Sequence, residues 1–224
     1  NQWRCLIMTG LMMKKNEKIG KIEEYLEELF LDPKCELNYD NDYQLIMAIM
    51  LSAQTTDKRV NMVTEVLFSK YNSLEKLKNA NIDDLETILR PLGSFRKKAL
   101  YVKEIATLLV DKYGSKVPVD RDILESFPGV GRKTVNVFFS EFYNIPAIAV
   151  DTHVERVSKR LGLAKDDDNV REVEEKLKKV FKKENWVKRH LQLVLFGRYH
   201  CKAVKPMCDV CKLKDICKYQ KKKP

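Results

Sequence analysis

The chain has 224 residues, 44% of them hydrophobic and 33% charged, which is enough to bury one large core or two small ones. Lysine and arginine outnumber aspartate and glutamate by 42 to 32, and the resulting net charge of +10 favours a polyanionic partner. No run of 18 apolar residues occurs, so the sequence predicts no membrane-spanning helix. Six cysteines without a secretory signal predict reduced thiols or metal ligands in a cytoplasmic protein.

Residues 1–13 are predicted to be a tag or an upstream extension. The sequence does not begin with Met, and Met12 or Met13 would suit as a natural start. The apolar stretch near the beginning is short and its lysines follow it, which is the wrong order for a secretory signal. The folded part is therefore expected to begin near residue 14.

Helical spacing of apolar residues runs through most of the chain, and no stretch alternates for long with period two. The sequence therefore predicts an all-α fold of about ten helices. The first amphipathic helix includes Ile19, Ile22 and Leu26 and ends before Pro33. The stretch 43–51 is apolar on all sides, which predicts a buried helix.

Capping residues mark the boundaries of the next helices. Asn81 is the predicted N-cap of a short helix, and Ser94 of a long helix that ends at Gly114. Asp120 is the predicted N-cap of another short helix. A polar corner at 51–59 precedes these helices.

The C-terminal third predicts three further helices and a cysteine-rich tail. One begins at Asp151 or Thr152 and ends at Gly162. The acidic run 166–168 is the predicted cap of the next, whose Val170, Val173, Leu177 and Val180 are expected to face inward. The last helix lies around Trp186 to Leu195.

The stretch FPGVGRKT, residues 127–134, places a glycine-rich turn between two predicted helices. Glycines allow the backbone to bend sharply, and the free N–H groups of the second helix can bind an anion. Arg132 and Lys133 lie in the first turn, where cations are disfavoured unless the partner is a polyanion. The stretch is therefore typical of a DNA-binding hairpin. The alternative is an ordinary glycine-rich connection with two solvated charges.

Four cysteines near the C-terminus are spaced C-x6-C-x2-C-x5-C: Cys201, Cys208, Cys211 and Cys217. Four thiolates in so short a stretch can surround one metal centre, and metal ligation is favoured over two disulfides or four free thiols. The spacing alone leaves a tetrahedral zinc and a [4Fe–4S] cluster both open. Cys5 and Cys35 lie outside this set.

Four motifs in one order identify a resemblance: LSAQTTD at 51–57, FPGVGRKT at 127–134, AVDTHVERV at 149–157, and GRYHC leading into the cysteine tail. Over roughly residues 18–219 the chain resembles the endonuclease III family of helix-hairpin-helix DNA glycosylases. The resemblance implies a six-helix domain at 36–145 and an iron–sulfur domain made of 14–35 and 146–224, with a DNA-binding cleft between them. It also implies that the four cysteines hold a [4Fe–4S] cluster.

The resemblance assigns roles to individual side chains. Lys133 matches the nucleophile that attacks C1′ of the damaged nucleotide, and Asp151 matches its paired carboxylate. Asp151 is also the predicted N-cap of the helix at 152–161, which is the alternative to a catalytic role. Gln54 matches the glutamine that fills the space left by an everted base. Ser94 stands where the family has a bulky apolar wedge, and Phe95 follows it. The residues implied to contact DNA from the hairpin are Gly129, Val130, Gly131 and Arg132.

The implied activity is that of a bifunctional DNA glycosylase and abasic-site lyase that removes oxidised pyrimidines from double-stranded DNA. The enzyme is expected to be a monomer associated with the nucleoid. One alternative is a mismatch-specific glycosylase of the same superfamily, which generally lacks the lysine found here at Lys133. Another is a non-catalytic hairpin protein, against which the presence of both Lys133 and Asp151 argues.

Overall fold

The computed structural model describes the backbone of residues 2–221 and the side chains of residues 15–220. Within that backbone all regular structure is helical, which confirms the predicted all-α class. The predicted extension at 1–13, together with Cys5, lies outside the described side chains. The α-helices of the described backbone are α1 (Gln2–Leu29), α2 (Asp42–Leu51), α3 (Asp57–Lys70), α4 (Leu74–Lys78), α5 (Ile82–Leu89), α6 (Phe95–Lys112), α7 (Arg121–Glu125), α8 (Arg132–Tyr143), α9 (Thr152–Leu161), α10 (Val170–Val180), α11 (Trp186–Leu195) and α12 (Lys218–Lys221).

The chain divides into two compact units, each with its own hydrophobic core. One unit is residues 35–145 and contains α2 to α8. The other combines residues 1–34 with residues 146–224 and contains α1 and α9 to α12. No helix within the described residues is both long enough and apolar enough to cross a membrane.

The unit of residues 35–145 is built around α2, which is buried from Gln44 to Leu51 as its continuous apolar run predicts. α3 and α8 pack against α2, and α6 packs against α4 and α5. Two predicted caps are confirmed. Asn81 Oδ1 accepts the N–H of Asp83 at 2.8 Å, and Asp120 Oδ1 accepts that of Ile123 at 3.0 Å. These caps fix where the short helices α5 and α7 begin.

In the second unit, α1 is held against α11 although about 160 residues separate them in sequence. The buried Arg189 donates to Glu23 at 3.1 Å and to Glu27 at 2.6 Å. Gln192 Nε2 donates to the carbonyl of Phe30 at 2.9 Å. An arginine that binds two carboxylates in a buried position makes a geometrically specific contact, so it fixes the register of the two helices.

Two predictions about the start of α10 are wrong. The N-cap is Asn169, not the acidic run 166–168: Asn169 Oδ1 accepts the N–H of Glu172, whose carboxylate accepts the N–H of Asn169 in return. This reciprocal pair satisfies two free donors at once, which is why it prevails over the preceding aspartates. Asp168 instead accepts from Lys176 at 2.5 Å. Val170 was expected to face inward and is 46% exposed.

Ser94 occupies the N-cap position of α6 but does not act as the predicted cap. Its backbone is left-handed, with φ +56°, and its side chain makes no capping hydrogen bond. The turn formed by residues 91–94 sets this conformation, in which the hydroxyl does not accept a first-turn N–H. The short helix α4 also went unpredicted, because a single turn carries too few apolar positions to show a period.

Candidate functional site

The predicted hairpin joins α7 to α8 through the turn at 128–131. Phe127 and Val130 anchor this turn, since both are buried and the N–H of Val130 donates to the carbonyl of Phe127 at 3.1 Å. Gly129 has φ +73°, and a Cβ there would lie 2.6 Å from Cδ2 of Tyr101. Only glycine fits both the conformation and the space, so the tip of the hairpin has a fixed shape.

The start of α8 has the properties of an anion site. Gly131 holds the N-cap position and has no side chain to cap the helix, and an uncapped helix N-terminus is a site that an anion can approach. Lys133 is exposed in this first turn and Arg132 is half-buried. Arg121 of α7 donates to Asn136 Oδ1 at 2.7 Å and so holds the two helices of the hairpin together.

Gln54 lies at the tip of the turn between α2 and α3. Its side chain is exposed and its backbone is left-handed, with φ +58°. Neighbouring bonds close the turn: Ser52 Oγ donates to the carbonyl of Ile49 at 2.7 Å, and the N–H of Thr55 donates to the carbonyl of Ser52 at 3.1 Å. A non-glycine residue in this conformation is held there by its surroundings.

The turn before α6 presents an exposed Ser94, while the aromatic ring next to it faces a different environment. Phe95 is half-buried and packs against the core of its unit, and the Arg96 guanidinium lies 5.0 Å from its ring centroid. In the free protein Phe95 therefore contributes to the core. Lys98, which sequence reasoning missed, is 5% exposed and donates to the carbonyl of Ala53 at 2.9 Å.

Asp151 is the N-cap of α9, as the sequence predicts. Its Oδ1 accepts the N–H groups of His153 at 2.9 Å and Val154 at 2.8 Å. Its Oδ2 makes no hydrogen bond to the side chains or backbone that the structure describes. The capping bonds therefore fix the orientation of the carboxylate, and one oxygen is left for another task.

α9 is also the support for the cysteine loop, which we define as residues 201–217. Arg156 donates to the carbonyl of Gly197 at 2.8 Å and contacts His153 Nδ1 at 3.2 Å. Arg160 donates to the carbonyl of Lys202 at 2.7 Å and to Cys201 Sγ at 3.4 Å. Both arginines lie on the helix that Asp151 caps, so the carboxylate and the loop share one rigid element.

Close packing also joins the start of α9 to the turn that leads into the cysteine loop. A Cβ on Gly197 would lie 2.7 Å from Cβ of His153, so only glycine lets the π-helical turn Phe196–His200 approach the start of α9. His153 is half-buried there, and burial lowers its pKa. The geometry gives His153 a structural contact with Arg156.

Cys201, Cys208, Cys211 and Cys217 line one pocket together with apolar side chains such as Leu161 and Phe196. Burial raises the pKa of the Cys201 thiol, and the nearby Arg160 acts in the opposite direction. Burial likewise raises the pKa of Cys211. In the part of the chain that is described, no three His, Cys, Asp or Glu side chains are close enough to hold a single metal ion. The four sulfurs thus share a pocket without the compact arrangement of a single-ion site.

The predicted site residues are distributed over both units. Lys133, Gln54 and the hairpin belong to residues 35–145, whereas Asp151 and the four cysteines belong to the other unit. Sequence reasoning missed the arginines of α9 and Lys98. A signal was present for the arginines, because Arg156 and Arg160 are four residues apart and so share a helix face.

Comparisons with known proteins agree on one family. The profile of the HhH-GPD superfamily of base excision DNA repair proteins matches residues 47–183. Endonuclease III of Bacillus subtilis (strain 168) is 44% identical over 196 residues, which cover 88% of this chain and 90% of that protein. Endonuclease III of Rickettsia felis is 43% identical over 202 residues, covering 90% and 94%. The solved structure of a trapped endonuclease III–DNA covalent intermediate has a TM-score of 0.89 and 45% identity, covering 92% of this chain and 97% of that one.

Proposed function

This chain belongs to the endonuclease III family of HhH-GPD base excision DNA repair proteins, and we propose that it removes oxidised pyrimidines from double-stranded DNA with Lys133 as the nucleophile. It is a DNA glycosylase and abasic-site lyase. The observation that carries the proposal is an exposed lysine amine in the first turn of a helix whose N-cap residue, Gly131, has no side chain. The working form is a monomer.

DNA binds through its phosphates at the hairpin. The N–H groups at the start of α8 and the positive end of the helix attract a phosphate, and Arg132 adds charge next to it. Gly129, Val130 and Gly131 bring the backbone close to the strand, since no side chain projects from either glycine. Binding there places Lys133 next to the sugar of the nucleotide to be repaired. Because Lys133 is exposed in the free protein, the bound DNA must exclude water from the amine.

An amine nucleophile determines the sequence of chemical steps. The neutral Nζ of Lys133 attacks C1′, the glycosidic C–N bond breaks, and its electron pair leaves with the base, which takes up a proton. The ring oxygen then leaves C1′ as a carbon–nitrogen double bond forms, giving a Schiff base. Loss of a C2′ proton sends electrons to the imine nitrogen, and their return expels the 3′ phosphate. Water finally releases the sugar fragment and restores the amine.

Asp151 provides the carboxylate for this reaction. Its Oδ1 is committed to the cap of α9, and its Oδ2 accepts a proton from the attacking lysine or stabilises positive charge on the sugar. The cap orients the carboxylate before substrate arrives. Gln54 fills the space that the everted nucleotide leaves and bonds to the orphaned base, since it is exposed on a conformationally fixed turn.

The four cysteines suit a [4Fe–4S] cluster. All four line one pocket, and four thiolates are the ligand set that such a cluster takes. Arg160, which donates to Cys201 Sγ, favours a negatively charged sulfur ligand. When bound, the cluster would anchor the cysteine loop, whose exposed lysines, Lys202, Lys205 and Lys214, add positive charge for DNA.

Borohydride trapping tests the proposal. The protein is reacted with a duplex that carries one thymine glycol, in the presence of borohydride, which reduces the Schiff base to a stable adduct. The wild type is expected to form the adduct, and Lys133→Gln to form none while still binding damaged DNA. Lys116→Gln, an exposed lysine of the same unit, is the matched control and should trap normally.

Three outcomes would overturn parts of the proposal. A wild type that releases the base without an adduct would be a monofunctional glycosylase, and release from mispairs alone would indicate a mismatch enzyme. Binding without base release would leave only a hairpin DNA-binding protein.

A further inference from the structure

Among the non-glycine residues of the unit of residues 35–145 that have a left-handed backbone, two lie in the exposed turns that precede α3 and α6. They are Gln54, with φ +58°, and Ser94, with φ +56°. Such conformations are unfavourable for residues with a side chain and persist only where the surroundings impose them. Neither side chain is buried, so the constraint must come from the backbone of each turn.

Lys98 is bonded to both turns. Its Nζ donates to the carbonyl of Ala53, the residue before Gln54, at 2.9 Å, and its backbone N–H donates to the carbonyl of Ser94 at 3.1 Å. The two bonds connect a segment between α2 and α3 to the start of α6, 45 residues away. The side chain of Lys98 thus ties the Gln54 turn to the first turn of α6, where the backbone N–H of the same residue bonds to Ser94.

The burial of Lys98 is costly, which argues that its ammonium has a purpose. Its side chain is 5% exposed, and the bond to Ala53 is the one hydrogen bond that its ammonium makes to described residues. Burial lowers the pKa of Lys98 in the absence of a carboxylate partner. A methionine would fill the same space without a desolvated charge. We therefore attribute the buried charge of Lys98 to its hydrogen bond with the carbonyl of Ala53.

The same helix contacts the hairpin. Tyr101 follows Lys98 by three residues and so lies on the same face of α6, where its ring limits the space at Gly129. One face of α6 therefore contacts the hairpin and fixes the turn of Gln54. We propose that Lys98 is a positioning residue that holds the Gln54 turn in the conformation needed to enter an opened duplex. This inference rests on the proposed function.

Two substrates, one that must be opened and one that is already single-stranded, separate this role of Lys98 from a general effect on folding or chemistry. An abasic site in duplex DNA requires the helix to be opened, whereas the same site in a single strand does not. Lys98→Met should therefore lower cleavage of the duplex site by about tenfold or more, the loss expected for one hydrogen bond from a charged donor. Cleavage of the single-stranded site should be unchanged. A fluorescent base analogue opposite the abasic site reports opening directly and should show less unstacking with the variant.

The chain offers a matched control on the same helix. Lys103 donates to the carbonyl of Ala80 at 2.6 Å, so Lys103→Met removes the same kind of bond away from the Gln54 turn. It should leave the ratio of duplex to single-strand cleavage unchanged. In a Gln54→Ala background, Lys98→Met should cost nothing further. If Lys98→Met does not fold, Lys98→Gln, which keeps a polar head, takes its place.

Equal losses on both substrates, or no loss on the duplex, would overturn the role of Lys98. A wild type that cleaves neither substrate would instead overturn the proposed function, so the two failures are distinguishable.

Discussion

The observed role of Asp151 as a helix cap and its proposed role in the reaction can be separated by a pair of substitutions. Its Oδ1 caps α9 through two N–H groups, at 2.9 and 2.8 Å, while its charge is assigned to the reaction. Asp151→Asn keeps an oxygen acceptor at the same place and removes the charge. Asp151→Ala removes both. The two variants should therefore differ in stability but share the loss of activity.

The expected losses of stability follow from the role of Asp151 as the N-cap of α9. Loss of an N-cap side chain costs about 0.5–2 kcal/mol, and loss of the negative charge at a helix N-terminus costs about 0.3–1 kcal/mol. Asp151→Asn should lose only the second amount. At about 2–4 °C of melting temperature per kcal/mol for a chain of this size, Asp151→Ala should melt several degrees below Asp151→Asn. Both should release thymine glycol at least about a hundredfold more slowly than the wild type, the range of a lost acid–base group.

The assay pairs thermal melting with single-turnover base release. Asn169→Ala is the control, since Asn169 caps α10 in the same unit through the N–H groups of Arg171 and Glu172, both at 3.0 Å. It should lower the melting temperature and leave turnover unchanged. If Asp151→Asn keeps full turnover, Asp151 is a helix cap alone and its assignment to the reaction is wrong.

Three other outcomes can be tested on the purified protein. Gly129→Ala should destabilise the protein by about 1–3 kcal/mol, because it forces a Cβ to within 2.6 Å of Tyr101 at φ +73°; a melting temperature equal to wild type would contradict this. Hydrogen bonds from Lys188 and then Arg189 lower the pKa of Glu27, so its stabilising effect is present above the ordinary carboxyl pKa and is lost as pH falls through the lowered value. Glu27→Gln should therefore cost about 1 kcal/mol near neutral pH and nothing at strongly acidic pH, and a cost independent of pH in melts would contradict the linkage. The purified protein should be yellow-brown and contain iron and sulfide in equal amounts, whereas a colourless zinc protein would exclude the cluster.

Local signals in the sequence predicted most of the fold. The continuous apolar run of α2, and the caps Asn81, Asp120 and Asp151, depend on neighbours within a few residues, which a sequence displays directly. The N-cap of α10 also depends on residues that are close in the sequence. Asn169 with Glu172 three residues later is a capping box, and the more conspicuous aspartates before it obscured that pattern.

Long-range contacts could not be predicted in the same way. Lys98 reads as one more solvated lysine on an amphipathic helix, and only the fold brings it to Ala53, 45 residues earlier. The left-handed conformation of Ser94 depends likewise on the turn that precedes it. Motifs predict which residues take part in the chemistry, while the groups that hold those residues in place became visible only in three dimensions.

The most direct test of the account is the identity of the lysine that bonds to DNA. After borohydride trapping and digestion with trypsin, modification of Lys133 blocks cleavage after it, so the adduct should lie on the peptide of residues 133–156, whose one lysine is Lys133. The sugar remnant is expected on that peptide. A remnant on any other peptide would move the nucleophile elsewhere and contradict the account.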